Sequence, residues 1–158
     1  LLEFEHIVQV NDQSDTTVTP LTRHQLWQGL LLRARHPDKF NQSLQCQTEP
    51  VSENEFTRYI QAGQTLFCEQ VILSPEKKIC TKTIGAESIM DAESTARIEE
   101  PEKDALFVRF SYRRQLEPDD GEVDVGEHLK SAYVQIDRDA IAMIRVLAES
   151  ELFDQTVN

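Results

Sequence analysis

Residues 129–147, LKSAYVQIDRDAIAMIRVL, decide the fold of this sequence. Apolar side chains recur there at every third or fourth position, which is the spacing of one face of an α-helix. The pattern predicts a C-terminal helix of about 25 residues, which is about 38 Å long at 1.5 Å per residue. Its apolar stripe must be covered by another layer of structure. The stripe consists of Leu129, Tyr133, Ile136, Ala140, Ile144 and Leu147.

The covering layer is predicted to be a β-sheet. LLEFEHIVQV (1–10) alternates apolar and polar residues, and so do several segments between 43 and 115, which turn sequences such as QAGQ (61–64) separate. Hairpin connections join antiparallel neighbours. We therefore expect a seven-stranded antiparallel sheet. After the first strand, the six strands are predicted at 43–48, 55–62, 65–73, 78–84, 93–99 and 105–115.

A short helix is predicted between the first strand and these hairpins. Thr22 and Gln25 form a capping-box pattern, and Trp27 belongs to the apolar residues that follow at helical spacing. Pro37 ends the run, and 38–40 suggest a further short turn. The prolines, among them Pro50 and Pro101, fall where the hydrophobic period breaks and are interpreted as element boundaries. The predicted fold class is α+β, with one domain over 1–158.

The charge balance excludes some classes of partner. The chain has 28 acidic and 16 basic residues and a net charge of -12, whereas a nucleic-acid binder needs a basic face. No apolar run is long enough to span a membrane. Three cysteines without metal or CxxC spacing, together with the lack of an apolar leader, predict a reducing compartment and a cytoplasmic protein.

One hairpin places two opposite charges together. If AGQT (62–65) turns tightly, Arg58 lies opposite Glu69, on the same face as the apolar pair Phe56 and Val71. Two interpretations remain open. The pair fixes the strand register, because a one-residue slip would leave both charges without a partner. Alternatively, Arg58 donates hydrogen bonds to a carboxylate or enolate of a ligand, and Glu69 orients it.

His6 lies in the apolar row of the first strand, between Phe4 and Val8. Imidazole suits proton transfer near neutral pH, but no nucleophile motif accompanies this histidine. We predict that His6 lines the core or a pocket and that it is not catalytic. The sequence has neither HxxxH nor HExxH and no glycine-rich phosphate loop, so we predict no metal and no cofactor.

Four segments resemble the AtaL-like family, which belongs to the START-related, birch-pollen-allergen (SRPBCC) superfamily: LEFEH (2–6), LTRHQLWQGLLLRARHPDKF (21–40), ARIEEPEKDALFVRFSY (96–112) and the terminal helix. The resemblance implies a helix-grip fold, in which a curved sheet wraps around the long helix. It also implies a cavity for apolar or aromatic small molecules. The superfamily includes carriers, hormone receptors and polyketide cyclases, so it does not imply a single chemistry.

Three functions therefore remain open, and the sequence leaves undecided whether the protein is an enzyme. The first is binding of a small hydrophobic or aromatic ligand by a monomer or weak homodimer, with the acidic loop EPDDGEVDVGE (117–127) over the pocket mouth. The second is a polyketide cyclase or dehydratase. The third is a protein-interaction module whose cavity is filled by its own side chains. The candidate binding residues are His6, Trp27, Arg58, Glu69, Phe110, Tyr112 and Tyr133.

Overall fold

The described residues fold into seven strands, two α-helices and one short 3-10 turn. The computed structural model describes residues 1–84, 91–116 and 124–150. Most of the predicted loop at 117–127 lies outside these residues. In chain order, the elements are β1 (Leu2–Gln9), α1 (Arg23–Arg35), the 3-10 turn (Pro37–Lys39), β2 (Leu44–Ser52), β3 (Glu55–Ala62), β4 (Thr65–Ser74), β5 (Lys78–Thr83), β6 (Ala92–Glu102), β7 (Ala105–Arg114) and α2 (Val125–Glu149).

The strands form one curved antiparallel sheet in the order β1-β7-β6-β5-β4-β3-β2. The first strand pairs with the last, and His6 lies opposite Phe110. Helices α1 and α2 pack against each other and cover one face of the sheet, where the apolar core lies. The predicted helix-grip fold is confirmed. No helix in the described ranges is both long and apolar enough to cross a bilayer.

The β3–β4 hairpin has the predicted register. Arg58 lies opposite Glu69, and Phe56 lies opposite Val71. The turn needs one residue in the left-handed backbone conformation. Gly63 adopts it, with φ at 62°, because glycine has no Cβ that would clash there. Because Phe56 and Val71 are both buried, the charged pair two residues further along the hairpin also belongs to the inner face of the sheet.

Helix α1 begins with the predicted capping box. The Thr22 hydroxyl accepts a hydrogen bond from the backbone N–H of Gln25 at 3.0 Å, and the Gln25 side chain accepts one from the Thr22 N–H at 2.9 Å. One face of the helix is buried and includes Trp27. On the same face, Gly29 allows a close approach to α2, because a Cβ at this position would overlap the side chain of Ile144.

Two prolines do not end strands as predicted. Pro50 lies inside β2, where a register shift follows it, and β2 is an edge strand with a single neighbour. Pro101 lies near the end of β6, within a register shift between Glu99 and Glu102. Edge positions and bulges tolerate proline because no ladder hydrogen bond is required of its missing N–H group. Both strands are therefore longer than predicted.

Helix α2 has the predicted length of 25 residues, but its buried face is rotated relative to the predicted stripe. Ile136 is 54% exposed, whereas its neighbour Asp137 is fully buried. Hydrophobicity alone favours burial of Ile136 rather than Asp137. The aspartate is buried instead because three hydrogen-bond donors from other elements meet its carboxylate. The buried residues of the helix are Asp137, Ala140, Ile141, Ile144 and Ala148.

Candidate functional site

A cavity of about 250 Å³ lies between the sheet, α1 and α2, and we call it the main cavity. An apolar cavity of about 150 Å³ holds one benzene ring, so this space has room for a ligand of one or two rings. Its apolar lining includes Leu30, Ala34, Ile79, Ala96, Phe110 and Ile136. Its polar lining includes Arg33, Arg58, Thr81, Ser94, Tyr112 and Tyr133.

The carboxylate of Asp137 lies behind the wall of the main cavity. Oδ2 is 2.7 Å from Nε2 of His6 and 2.5 Å from the hydroxyl of Tyr112, and Oδ1 accepts a hydrogen bond from Nη2 of Arg33 at 3.1 Å. A buried carboxylate loses its hydration, and such donors compensate for the loss. The four residues therefore form one polar cluster, the Asp137 cluster, which joins β1, β7, α1 and α2.

His6 is held in the Asp137 cluster between aromatic rings. Its imidazole stacks on Phe4 and Phe110, with centroid distances of 5.6 and 5.3 Å, and it lies parallel to Tyr112 at 6.4 Å. Among the described residues, those that line the main cavity do not include His6. His6 therefore reaches the cavity through Asp137 and Tyr112 rather than by direct contact.

Tyr112 connects the Asp137 cluster to the cavity. Its ring lines the main cavity, and its hydroxyl donates to Asp137. Burial raises the pKa of this hydroxyl well above its ordinary value, and the negative charge and hydrogen bond of Asp137 raise it further. The phenol therefore remains protonated around neutral pH and serves as a hydrogen-bond donor.

Tyr112 also stacks on Tyr133, with ring centroids 3.9 Å apart and an interplanar angle of 8°. The Tyr133 hydroxyl accepts a hydrogen bond from Nη1 of Arg114 at 3.1 Å. Both rings line a second space of about 180 Å³, the adjoining cavity, whose lining also includes Glu69 and Arg114. The two tyrosines thus form a wall shared by the two cavities.

Arg58 and Glu69 form the predicted ion pair. Nε and Nη2 of Arg58 both donate to Oε1 of Glu69, at 3.0 and 2.8 Å, and Nη1 donates to the backbone carbonyl of Ala34 at 2.8 Å. Arg58 lines the main cavity, whereas Glu69 lines the adjoining one. The pair holds β3, β4 and the end of α1 together, as the register interpretation requires. Contact with a ligand remains a prediction.

Of the seven candidate residues, Arg58, Phe110, Tyr112 and Tyr133 line the main cavity. Trp27 is instead buried in the apolar core.

Sequence reasoning missed Arg33 and Asp137, although both had a signal. Arg33 is three residues after Leu30 on the inner face of α1, and Asp137 is four residues after Tyr133. A charged residue at a position where the helical period requires an apolar one is a candidate for a site.

The part of the chain that the structure describes contains no group of three His, Cys, Asp or Glu side chains that could hold a metal ion.

Comparisons with known proteins are consistent with this architecture. Residues 5–151 match the model of the AtaL family, described as acetylaranotin biosynthesis cluster protein L. No curated protein matches the sequence significantly.

Three solved structures illustrate the fold. The di-domain ARO/CYC StfQ from the steffimycin biosynthetic pathway is 12% identical with a TM-score of 0.72, and the match covers 96% of this chain and 51% of StfQ. The chain thus spans about half the length of StfQ. Ara h 8.0201 is 10% identical with a TM-score of 0.59, covering 90% of this chain and 96% of that one. Aha1 from Colwellia psychrerythraea, determined as a dimer, is 18% identical with a TM-score of 0.55, covering 86% and 90%. At these identities the likeness concerns the fold alone.

Proposed function

The chain belongs to the AtaL family, and from this premise we propose that the protein binds a small apolar or aromatic molecule in the main cavity. The observation that supports the proposal is the roughly 250 Å³ of space whose surface is mostly apolar, with the polar groups of several side chains set into it. Small-molecule sites have this composition, in which apolar surface supplies affinity and a few polar groups fix orientation. The same space argues against an interior filled by its own side chains.

The cavity size limits the affinity that apolar contact can give. Burial of about 300 Å² of apolar ligand surface at about 25 cal/mol/Å² contributes about 7–8 kcal/mol, and association costs at least about 4 kcal/mol. Apolar contact alone therefore leaves at most about 4 kcal/mol, which corresponds to millimolar or weaker binding. Tighter and selective binding depends on the polar lining, which includes Arg33, Arg58 and Tyr112.

Native mass spectrometry of the freshly purified protein, beside its denatured mass, tests the proposal. We expect an additional mass that disappears on denaturation. Ala96→Leu fills the cavity from β6 and should abolish the additional mass, whereas Ala132→Leu, on the exposed side of α2, should retain it. An additional mass that persists in Ala96→Leu would contradict binding in this cavity. The spectrum also tests whether the protein is a monomer or a weak homodimer. We further propose that the protein is cytoplasmic.

A second candidate function is that of a polyketide cyclase or dehydratase. The Asp137 cluster supports it, because an imidazole, a phenol and a carboxylate linked by hydrogen bonds beside a cavity could move protons during ring closure and loss of water. The ARO/CYC name of StfQ agrees with this chemistry. With a polyketide-type substrate, unchanged turnover in all of the variants His6→Ala, Arg58→Ala and Glu69→Ala would refute it.

A further inference from the structure

We propose that the ligand of the main cavity carries an anionic oxygen group, such as an aromatic carboxylate, and that Arg33 binds this group. The inference rests on the proposed function and names the ligand class for the same cavity. It follows from the distribution of charge around the cavity, from the hydrogen bonds that each arginine already makes, and from the apolar surface beside Arg33.

The described wall of the main cavity presents positive charge without an accompanying carboxylate. Its charged side chains are Arg33 and Arg58. Their acidic partners lie elsewhere: Asp137 is fully buried behind the wall, and Glu69 lines the adjoining cavity. A ligand in this space therefore meets hydrogen-bond donors at its polar end, and an anionic oxygen is the matching acceptor.

The two arginines differ in how many donors they have left. Arg58 gives two N–H groups to Glu69 and a third to the carbonyl of Ala34, out of the five that a guanidinium has. Arg33 makes one hydrogen bond with described residues, to Asp137. The guanidinium of Arg33 thus retains most of its donors, and its planar fork matches the two oxygens of a carboxylate.

Asp137 does not saturate Arg33. Its carboxylate is shared among three donors, since His6 and Tyr112 both contact Oδ2 while Arg33 contacts Oδ1. The side chain of Arg33 is still 24% exposed. A second anion can therefore approach Arg33 from the cavity while the contact with Asp137 holds the guanidinium in position.

The surface beside Arg33 fits the rest of such a ligand. The Cζ atom of Arg33 lies 5.9 Å from the centroid of Phe110, whose ring lines the same cavity. A ligand with its carboxylate at Arg33 can therefore lay an aromatic body against the apolar wall. The net charge of -12 opposes an anion at long range, but salt screens that field within about 8–10 Å. Direct contact with Arg33 at hydrogen-bond distance is the stronger effect.

Isothermal titration calorimetry with two matched probes tests the inference. The probes are 2-naphthoate and its neutral amide, 2-naphthamide, which have nearly the same shape and differ in charge. We expect 2-naphthoate to bind roughly tenfold more tightly, the ratio that a charge-assisted hydrogen bond supports. Arg33→Met should abolish this preference, because it removes the positive charge that distinguishes the two probes. Arg138→Met removes the same charge from the exposed side of α2 and should keep the preference.

Each outcome decides a different point. Equal affinity for the two probes in the wild-type protein would overturn the inference and leave the proposed ligand binding standing. Binding of neither probe would overturn both. Because Arg33→Met could unfold the protein by leaving Asp137 with fewer donors, circular dichroism accompanies the titrations. Arg33→Lys, which keeps the positive charge, should retain a preference for 2-naphthoate, and loss of the preference there would contradict the assignment to the charge of Arg33.

Discussion

Asp137 is a charged side chain in a position that solvent does not reach. Removing a carboxylate from water costs several kcal/mol even after the protein relaxes. Three donors offset this cost, and each of them comes from a different element. At the scale of single residues, stability therefore depends on whether every donor of the Asp137 cluster is present.

Removal of one donor should be costly. Tyr112→Phe deletes the hydroxyl that donates to Asp137 at 2.5 Å, so we expect the free energy of unfolding to fall by about 1–3 kcal/mol. Urea denaturation at pH 7 measures this. Tyr59→Phe is the matched control, because its hydroxyl lies 3.4 Å from Glu49 at an exposed position, and we expect a change below about 0.5 kcal/mol. Equal effects of the two substitutions would contradict the role given to Asp137.

The raised pKa of Tyr112 predicts a dependence on alkaline pH. In the unfolded chain a tyrosine loses its proton near pH 10, whereas burial and Asp137 keep Tyr112 protonated in the folded protein. The unfolded state therefore binds fewer protons above pH 10, and stability decreases as pH rises there by about 1.4 kcal/mol per unit. Below pH 10 the contribution is present in full.

Urea denaturation of the wild-type protein and Tyr112→Phe between pH 9 and 11 isolates this effect. The stability difference between the two should shrink by about 1.4 kcal/mol at pH 11, because only the wild-type protein contains this tyrosine. Tyr59, whose pKa is raised by Glu49, is present in both proteins and cancels. A difference that does not change with pH would show that Tyr112 titrates alike in both states.

At the scale of elements, the close packing of α1 on α2 depends on Gly29. Alanine has a helix propensity about 1 kcal/mol better than glycine, but its Cβ would overlap Ile144, which is fully buried. Overpacking of this kind costs about 1–3 kcal/mol, so we expect Gly29→Ala to be net destabilising. The melting temperature of the Gly29→Ala protein should fall. The control is Gln28→Ala, at the neighbouring, partly exposed position, and its melting temperature should change little. A more stable Gly29→Ala protein would show that the helices can separate at no cost.

The helices and strands were predictable from the sequence where the residues that determine them lie close together in the chain. The capping box of Thr22, the register between Arg58 and Glu69 and the length of α2 follow from residues close in sequence. The face that α2 buries was not predictable in the same way. Asp137 replaces Ile136 inside because His6, 131 residues away, and Arg33, 104 residues away, supply donors. Hydrophobic periodicity contains no information about such distant partners, so the centre of the candidate site was missed.

At the scale of the whole molecule, Asn11 ties together segments that are distant in sequence. Its side chain donates to the carbonyls of Leu21 and Asp104, at 2.8 and 3.0 Å, and accepts a hydrogen bond from the N–H of Leu21 at 2.9 Å. These bonds join the end of β1 to the start of α1 and to the β6–β7 turn. The buried amide thus fixes how the first part of the chain meets the last hairpin.

Asn11→Ala should therefore destabilise the whole fold. It leaves two buried backbone groups of Leu21 without their partner, so we expect a loss of about 2–4 kcal/mol in the free energy of unfolding. Chemical denaturation followed by Trp27 fluorescence measures it, since this tryptophan is in the core. Gln13→Ala is the control, because its hydrogen bond to the carbonyl of Lys103 is exposed. Similar losses in the two variants would contradict the anchoring role of Asn11.

The pairing of β1 with β7 has a consequence for folding during synthesis. During synthesis β1 is made before the other described elements, yet its partner strand β7 is made after five other described strands. His6 therefore leaves the ribosome long before Phe110 and Asp137 exist, and α2 is completed after α1 and the seven described strands. A nascent chain lacking α2 has no Asp137 cluster, and its main cavity lacks the wall formed by Tyr133 and Ile136. Under the proposed function, a ligand can bind only to chains whose synthesis has reached α2, and its binding then also stabilises the folded state.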